Sequence, residues 1–143
     1  MRYKNEILRI IDANINRAKE GIRVCEDIMR LLTAHKKATQ ELRNIRHAIT
    51  AVIKNSSLRS LAIENYRNSI ADVGKNFPSQ KKKNLVGDIF FANAQRTKEA
   101  LRVLEEMLLL FDAKASQRFQ KLRFQFYDIE KICSQTIRRI HHH

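Results

Sequence analysis

The chain has 143 residues, with 28 Lys and Arg against 15 Asp and Glu, three Gly, one Pro and no Trp, which fits one domain with few turns and a helical palette. The formal charge of +13 attracts polyanions: nucleic acid, anionic lipid or phosphorylated small molecules. The longest apolar run, Met107 to Phe111, is far short of a membrane span, and the N-terminus lacks a hydrophobic signal core, so the expected compartment is the cytoplasm, with no membrane partner.

From Asn5 to Leu32 the residues Ile7, Ile10, Ile11, Ala18, Ile22, Cys25, Ile28, Met29 and Leu32 recur at three- and four-residue spacings, which predicts one long amphipathic helix. Thr33 is an N-cap type and is expected to open a second helix, with Leu42, Ile45, Ile49, Val52 and Ile53 as its buried stripe. That helix fades at residues 54–57, and a short helical turn is expected around Leu58 to Ile63. Residues 65–84 show no convincing periodicity. Asn84 is expected to cap a third helix that carries Leu85, Ile89, Ala92, Leu101, Leu104, Leu108 and Phe111 inward. Asp112 is expected to cap a fourth, with Phe119, Leu122, Phe126, Ile129, Cys133 and Ile137 buried. Cys25 and Cys133 lie on apolar faces without C-x-x-C spacing and read as buried free thiols. The closing His141–His143 reads as a tag remnant, which leaves 1–140 as the domain.

The chain nearly repeats itself. "ANINRAKEGIRVCE" at 13–26 returns as "ANAQRTKEALRVLE" at 92–105, with eight of fourteen positions identical at an offset of 79. Thr33 and Asp112 share that offset, and after a slip of one residue "ELRNIRHAI" at 41–49 matches "KLRFQFYDI" at 121–129. The expected fold is therefore all-α: a four-helix bundle built from two repeated helical hairpins, with a long central loop and an approximate internal two-fold.

On a wheel of about 100° per residue, Asn14 shares a face with Ala18, Gly21, Cys25 and Leu32, and Arg17 sits at its border. Asn93 and Arg96 behave identically, and Glu20 and Glu99 lie within i,i+3 reach of the arginines. Arg23 and Arg102 point nearly opposite the asparagines and can serve a subunit interface, so a homo-oligomer is open. Buried Asn and Arg need partners. One reading is an internal network, Arg17 with Glu20 and Arg96 with Glu99. The other is a cavity where both Asn–Arg pairs converge: guanidinium forks suit phosphate oxygens, and an Asn amide can pair with an aminopyrimidine edge. A small phosphorylated heterocycle fits better than nucleic acid, because the repeated arginines lie toward the core.

A twenty-residue aperiodic loop in a compact bundle is usually functional or disordered. In "YRNSIADVGKNF", Gly74 permits a positive φ or a close backbone approach, Asp72 supplies a carboxylate, and Arg67, Ser69 and Lys75 supply donors. One reading is a plain turn; the other is a lid over the cavity, with Asp72 holding Mg²⁺ against phosphates. Arg43, Arg46 and Arg123 can complete a cationic wall. His47 and Tyr127 occupy matching repeat positions, as ligand donors or as packing residues.

"RIIDANINRAKEGIRVCEDIMR", "ELRNIRHAI", "RNSIADVG" and "ANAQRTKEALRVLEEM…LRFQFYDIEK" together resemble the helical domain N-terminal to many bacterial thiamine-phosphate synthases, described as a hydroxymethylpyrimidine-phosphate kinase family. The resemblance implies transfer of the ATP γ-phosphoryl group, with Mg²⁺, onto hydroxymethylpyrimidine phosphate. It gives the pyrophosphate that thiamine-phosphate synthase consumes, and that synthase is the implied partner. The absence of a GxxxxGK[ST] loop agrees with a family distinct from ribokinase-like pyrimidine kinases. Under this reading Arg17, Arg96 and Arg123 contact phosphates, Asp72, with Glu20 or Glu99, holds Mg²⁺, and Asn14 or Asn93 reads the ring. Two rival readings remain: a non-catalytic domain that binds the pyrimidine phosphate or docks on the synthase, and a basic nucleic-acid-binding bundle. The last leaves the inward asparagines without a purpose.

Overall fold

A computed structural model describes residues 1–67, 72–75 and 85–141. Its elements are α1 (Lys4–Asp27), a π-helical turn (Ile28–Leu32), α2 (Lys36–Lys54), a short 3-10 helix (Ile63–Tyr66), α3 (Val86–Leu108) and α4 (Ala113–His141). There is no strand among the described residues. The helices form a square in which α1 packs on α2 and α3, and α4 closes the ring against both α2 and α3, so the expected four-helix bundle of two hairpins is the observed fold.

The core follows most of the apolar periodicity of the sequence, but Ile10, Leu32, Leu85 and Ile89, which the spacing places on the buried stripes, are exposed. Leu8, Ile11, Ala18, Ile22, Cys25 and Met29 of α1 meet Phe90, Leu101, Leu104 and Leu108 of α3, with Phe119, Phe126, Ile129 and Ile137 filling from α4; all are essentially inaccessible to water. The two copies of the repeat touch at Gly21. A Cβ there would lie 2.9 Å from the Asn93 carbonyl oxygen and collide with Thr97 Oγ1, so only glycine lets α1 and α3 come this close.

Helix ends depart from expectation at several points. Thr33 does not cap α2. Helix α1 instead runs into a π turn, where the Thr33 N–H reaches the Ile28 carbonyl (3.2 Å) and its hydroxyl reaches the Met29 carbonyl (2.9 Å). Ala34 then turns through a left-handed conformation (φ 52°), and His35 becomes the cap, its Nδ1 accepting from Ala38 N–H at 3.1 Å. Asn84 lies outside the described residues; Leu85 precedes α3, and its N–H donates to Asp88 Oδ2 at 3.3 Å. Asp112 caps α4 as expected. One of its carboxylate oxygens accepts from Lys114 and Ala115 N–H at 3.1 Å each, and the other from Ser57 N–H at 3.0 Å, tying the two inter-helix corners together. The turn expected around Leu58 to Ile63 is present as two successive hydrogen-bonded turns, Arg59 N–H to the Ser56 carbonyl and Leu61 N–H to the Leu58 carbonyl, and a 3-10 helix packed on α1 follows. His141 ends α4 with its ring against Gly87, so the helix continues past the expected boundary at residue 140.

Candidate functional site

Part of the repeated polar pattern is structural. In each hairpin a glutamate at the end of the repeat, Glu26 or Glu105, is almost wholly buried and is held by an arginine from the following helix. Arg46 donates through Nε and Nη2 to Glu26 at 3.1–3.3 Å, and Arg123 donates through Nε to Glu105 at 2.8 Å. Arg23 and Arg102 flank these glutamates from three residues upstream and reach Asp27 (3.4 Å) and Glu106 (2.9 Å). The shared R-V-x-E thus clasps each hairpin. Glu105 holds the Arg123 guanidinium above its ordinary range. Arg123 is engaged in that clasp and does not line a groove with Asn14 or Asn93.

The Asn–Arg pairs divide. Asn14 is buried and Asn93 half-buried, and each donates Nδ2 to the carbonyl one turn earlier, Ile10 or Ile89, at 2.8 Å. Each therefore keeps one amide hydrogen and an acceptor oxygen. Arg17 is exposed and Arg96 partly so, and neither forms the expected ion pair with Glu20 or Glu99; Glu99 accepts instead from Gln95 at 3.0 Å. The two pairs do not converge on one cavity among the described residues, because the close α1–α3 contact at Gly21 leaves no room there.

A groove of about 530 Å³ instead forms along α1, beside the residue that follows the 3-10 helix, and it gathers Asn14, Arg17, Arg67 and Asp72. Glu6, Ile10, Ala13 and Arg17 succeed one another at three- and four-residue steps to make its floor. Arg67 crosses from the segment after the 3-10 helix and grips the buried Asp12 with two hydrogen bonds, Nε to Oδ2 at 2.8 Å and Nη2 to Oδ1 at 2.9 Å. Asp72 stands at the edge, its Oδ1 accepting from Gly74 N–H at 2.9 Å in a tight turn. Gly74 does not use a positive φ, the first of the two roles expected for it, which leaves a close backbone approach as the other. Lys75 closes the same turn, its N–H donating to the Asp72 carbonyl, and Ser69 lies outside the described residues.

The groove offers the carboxylates of Glu6, Asp12 and Asp72 beside the guanidiniums of Arg9, Arg17 and Arg67. Both Asp12 oxygens are taken by Arg67, and no cluster of three acidic, His or Cys ligands exists among the described residues. A Mg²⁺ that arrives with phosphates needs only one or two protein carboxylates, which Asp72 and Glu6 can supply. Asp12, Glu6, Arg9 and Asn16 were not singled out from sequence. Asp12 had a signal: it sits between Leu8 and Ile15 at helical spacing, a carboxylate in a buried row.

Arg43, Arg46 and His47 gather elsewhere, in a groove of about 730 Å³ between the end of α1 and the first turns of α2. Tyr127 is on α4, its ring beneath Lys98 Nζ at 5.1 Å, and Lys98 also pairs with Glu130 at 3.0 Å. Glu20 is exposed and outside both grooves. Cys25 and Cys133 are free and buried as expected; burial drives both thiol pKa values up, that of Cys133 to about 12.

Against this geometry, the model of the ThiD2 family matches residues 9–132, from the floor of the α1 groove through most of α4. The chain belongs to the ThiD2 family. Among ThiD2-containing relatives, a thiamine-phosphate synthase of Prochlorococcus marinus is 34% identical over 128 residues, covering 88% of this chain and 35% of its own. A thiamine-phosphate synthase of a Nostoc species is 31% identical over 126 residues, covering 87% of this chain and 34% of its own. The chain thus spans about a third of the length of the curated relatives it matches. No solved structure matches it significantly. No described helix is long and apolar enough to cross a membrane.

Proposed function

We propose that this ThiD2 chain phosphorylates hydroxymethylpyrimidine phosphate to the pyrophosphate, with ATP as donor, and that the α1 groove is where the pyrimidine phosphate sits. The observation that carries the reading is the meeting of Asn14, Arg17, Arg67 and Asp72, residues from two separated segments, in one groove. Arg17 has a guanidinium fork without a carboxylate partner among the described residues, the geometry that suits a phosphate. Asn14 has an acceptor oxygen and one amide hydrogen left for the aminopyrimidine edge. The relatives are named thiamine-phosphate synthases, and the family resemblance implies that such a synthase consumes the pyrophosphate product.

The chemistry asks little of a base. The acceptor is an oxygen of the substrate phosphate, anionic at neutral pH. It forms a bond to the γ-phosphorus while the bond to the β–γ bridging oxygen breaks, and ADP leaves with that electron pair. This chain's residues position and neutralise: Arg17 holds the acceptor phosphate, while Arg67, fixed by Asp12, and the carboxylate of Asp72 line the same groove. When bound there between Asp72 and the phosphates, Mg²⁺ would screen their mutual repulsion.

A second reading, a non-catalytic domain docked on a synthase, is favoured by one feature. Val24, Ile28, Leu31, Leu32, Val86 and Ile89 line an apolar groove, with Leu31 and Leu32 largely exposed. Incubation of purified protein with Mg-ATP separates the two. ADP release that depends on hydroxymethylpyrimidine phosphate supports the kinase; binding of that phosphate without ADP release supports the docking domain.

A further inference from the structure

We propose that the groove between the end of α1 and the start of α2 is a second oxyanion site, built for a diphosphate or triphosphate group. It goes beyond the pyrimidine-phosphate reading of the α1 groove, since it involves different residues and stands whether or not phosphoryl transfer occurs.

Its lining carries five fixed cations, Arg23, Arg30, Lys36, Arg43 and Arg46, with His47 beside them, against the single carboxylate of Glu26. Arg46 is consumed by Glu26, and Arg23 by Asp27. Arg30, Lys36 and Arg43 have no carboxylate partner among the described residues. The internal repeat shows that packing does not ask for them. In the second hairpin the clasp is Glu105 with Arg123, and Arg123 is the repeat equivalent of Arg43. In the first hairpin Arg46 has taken over the clasp, at a position where the second hairpin has Phe126, and Arg43 is released into the groove. Arg30 stands where the other copy has Leu109, and Lys36 where it has Ser116. The same scaffold is thus stable with one arginine, and the first copy has added three cations and no carboxylate.

Like charges gathered around one concavity repel, unless an anion is their purpose. The groove also receives the first turn of α2, whose residues Lys36 and Thr39 line it, so the positive end of a 19-residue helix adds to the field. A volume of about 730 Å³ has room for an oligophosphate and for more than a single phosphate. Arginine forks and one lysine match such a group better than a carboxylate or a halide.

The test is calorimetric titration of the full chain with inorganic triphosphate and, separately, with ATP, at fixed physiological ionic strength. The variant is Arg30→Ala/Arg43→Ala, two exposed residues outside the clasp. The control is Arg138→Ala/Arg139→Ala, which removes the same charge from the exposed end of α4. Triphosphate affinity should fall at least about tenfold in the first and stay within about twofold in the second. A parallel loss for ATP identifies a nucleotide tail as the source, and a loss for triphosphate alone identifies a free oligophosphate. Equal losses in both variants, or none in the first, would overturn the site. Triphosphate binding that survives in a chain without kinase turnover would end the kinase reading and leave this one standing.

Discussion

Arg67 and Asp12 lie fifty-five positions apart and meet end to end, guanidinium fork on carboxylate, at 2.8 and 2.9 Å. The carboxylate is buried and the arginine half-exposed, so the pair pins the end of the 3-10 helix onto α1. If this is how the α1 groove is built, Arg67→Gln and Asp12→Asn should each weaken hydroxymethylpyrimidine-phosphate binding by about tenfold. The double variant should be no weaker than the worse single one, because both remove the same connection. Isothermal titration of the four proteins checks this. Additive losses would mean that the two side chains touch the ligand independently.

The clasps make a different prediction. Glu105 and Arg123 are each about nine-tenths buried, so truncating the arginine strands a carboxylate. Arg123→Met should lower stability by about 3 kcal/mol, and Glu105→Gln/Arg123→Met should recover a large part of it. Urea unfolding measures both. If Arg123→Met instead leaves the midpoint unchanged and abolishes turnover, the arginine belongs to catalysis.

Asp112 gives the fold an acid-sensitive corner. Backbone N–H groups of Ser57, Ala115 and Lys114 hold its carboxyl below the ordinary value of 3.8. Its ionised form is favoured in the folded chain, so its contribution is complete above about pH 4 and is lost as pH falls through the lower folded value. Asp112→Ala should cost about 1 kcal/mol at neutral pH. It should also flatten the acid limb of the stability–pH curve, as followed by thermal unfolding. An unchanged acid limb would show that other carboxylates dominate it.

Both thiols should resist modification. Cys133 has its pKa pushed to about 12 by burial and Cys25 higher still, so neither offers thiolate at pH 8. A maleimide or disulfide reagent should label neither in the folded chain and both in denaturant, read by intact mass.

The fold was largely legible because apolar spacing fixes which helix faces are buried, and the repeat fixes that the hairpin occurs twice. Helix ends were less so. Thr33 looked like a cap, but capping depends on where the backbone leaves the helix, and the π turn at Ile28–Leu32 delayed that exit to His35. The site was legible by residue type more than by place. Asn14, Arg17, Arg67 and Asp72 share a groove, yet it lies outside the bundle, because the contact at Gly21 closes the interior where the two pairs were expected to meet. A helical wheel orders the faces of one helix and carries no information on how closely two helices approach. It also could not show that Glu26 and Glu105 would claim Arg46 and Arg123, a pairing across helices.

The central claim is that the two copies of the Asn–Arg pair have diverged, with the copy on α1 holding the guest. Titration of hydroxymethylpyrimidine phosphate into Arg17→Ala and Arg96→Ala tests it most directly. A loss of about tenfold or more is expected for Arg17→Ala, with wild-type affinity for Arg96→Ala. Equal losses, or a loss confined to Arg96→Ala, would contradict it.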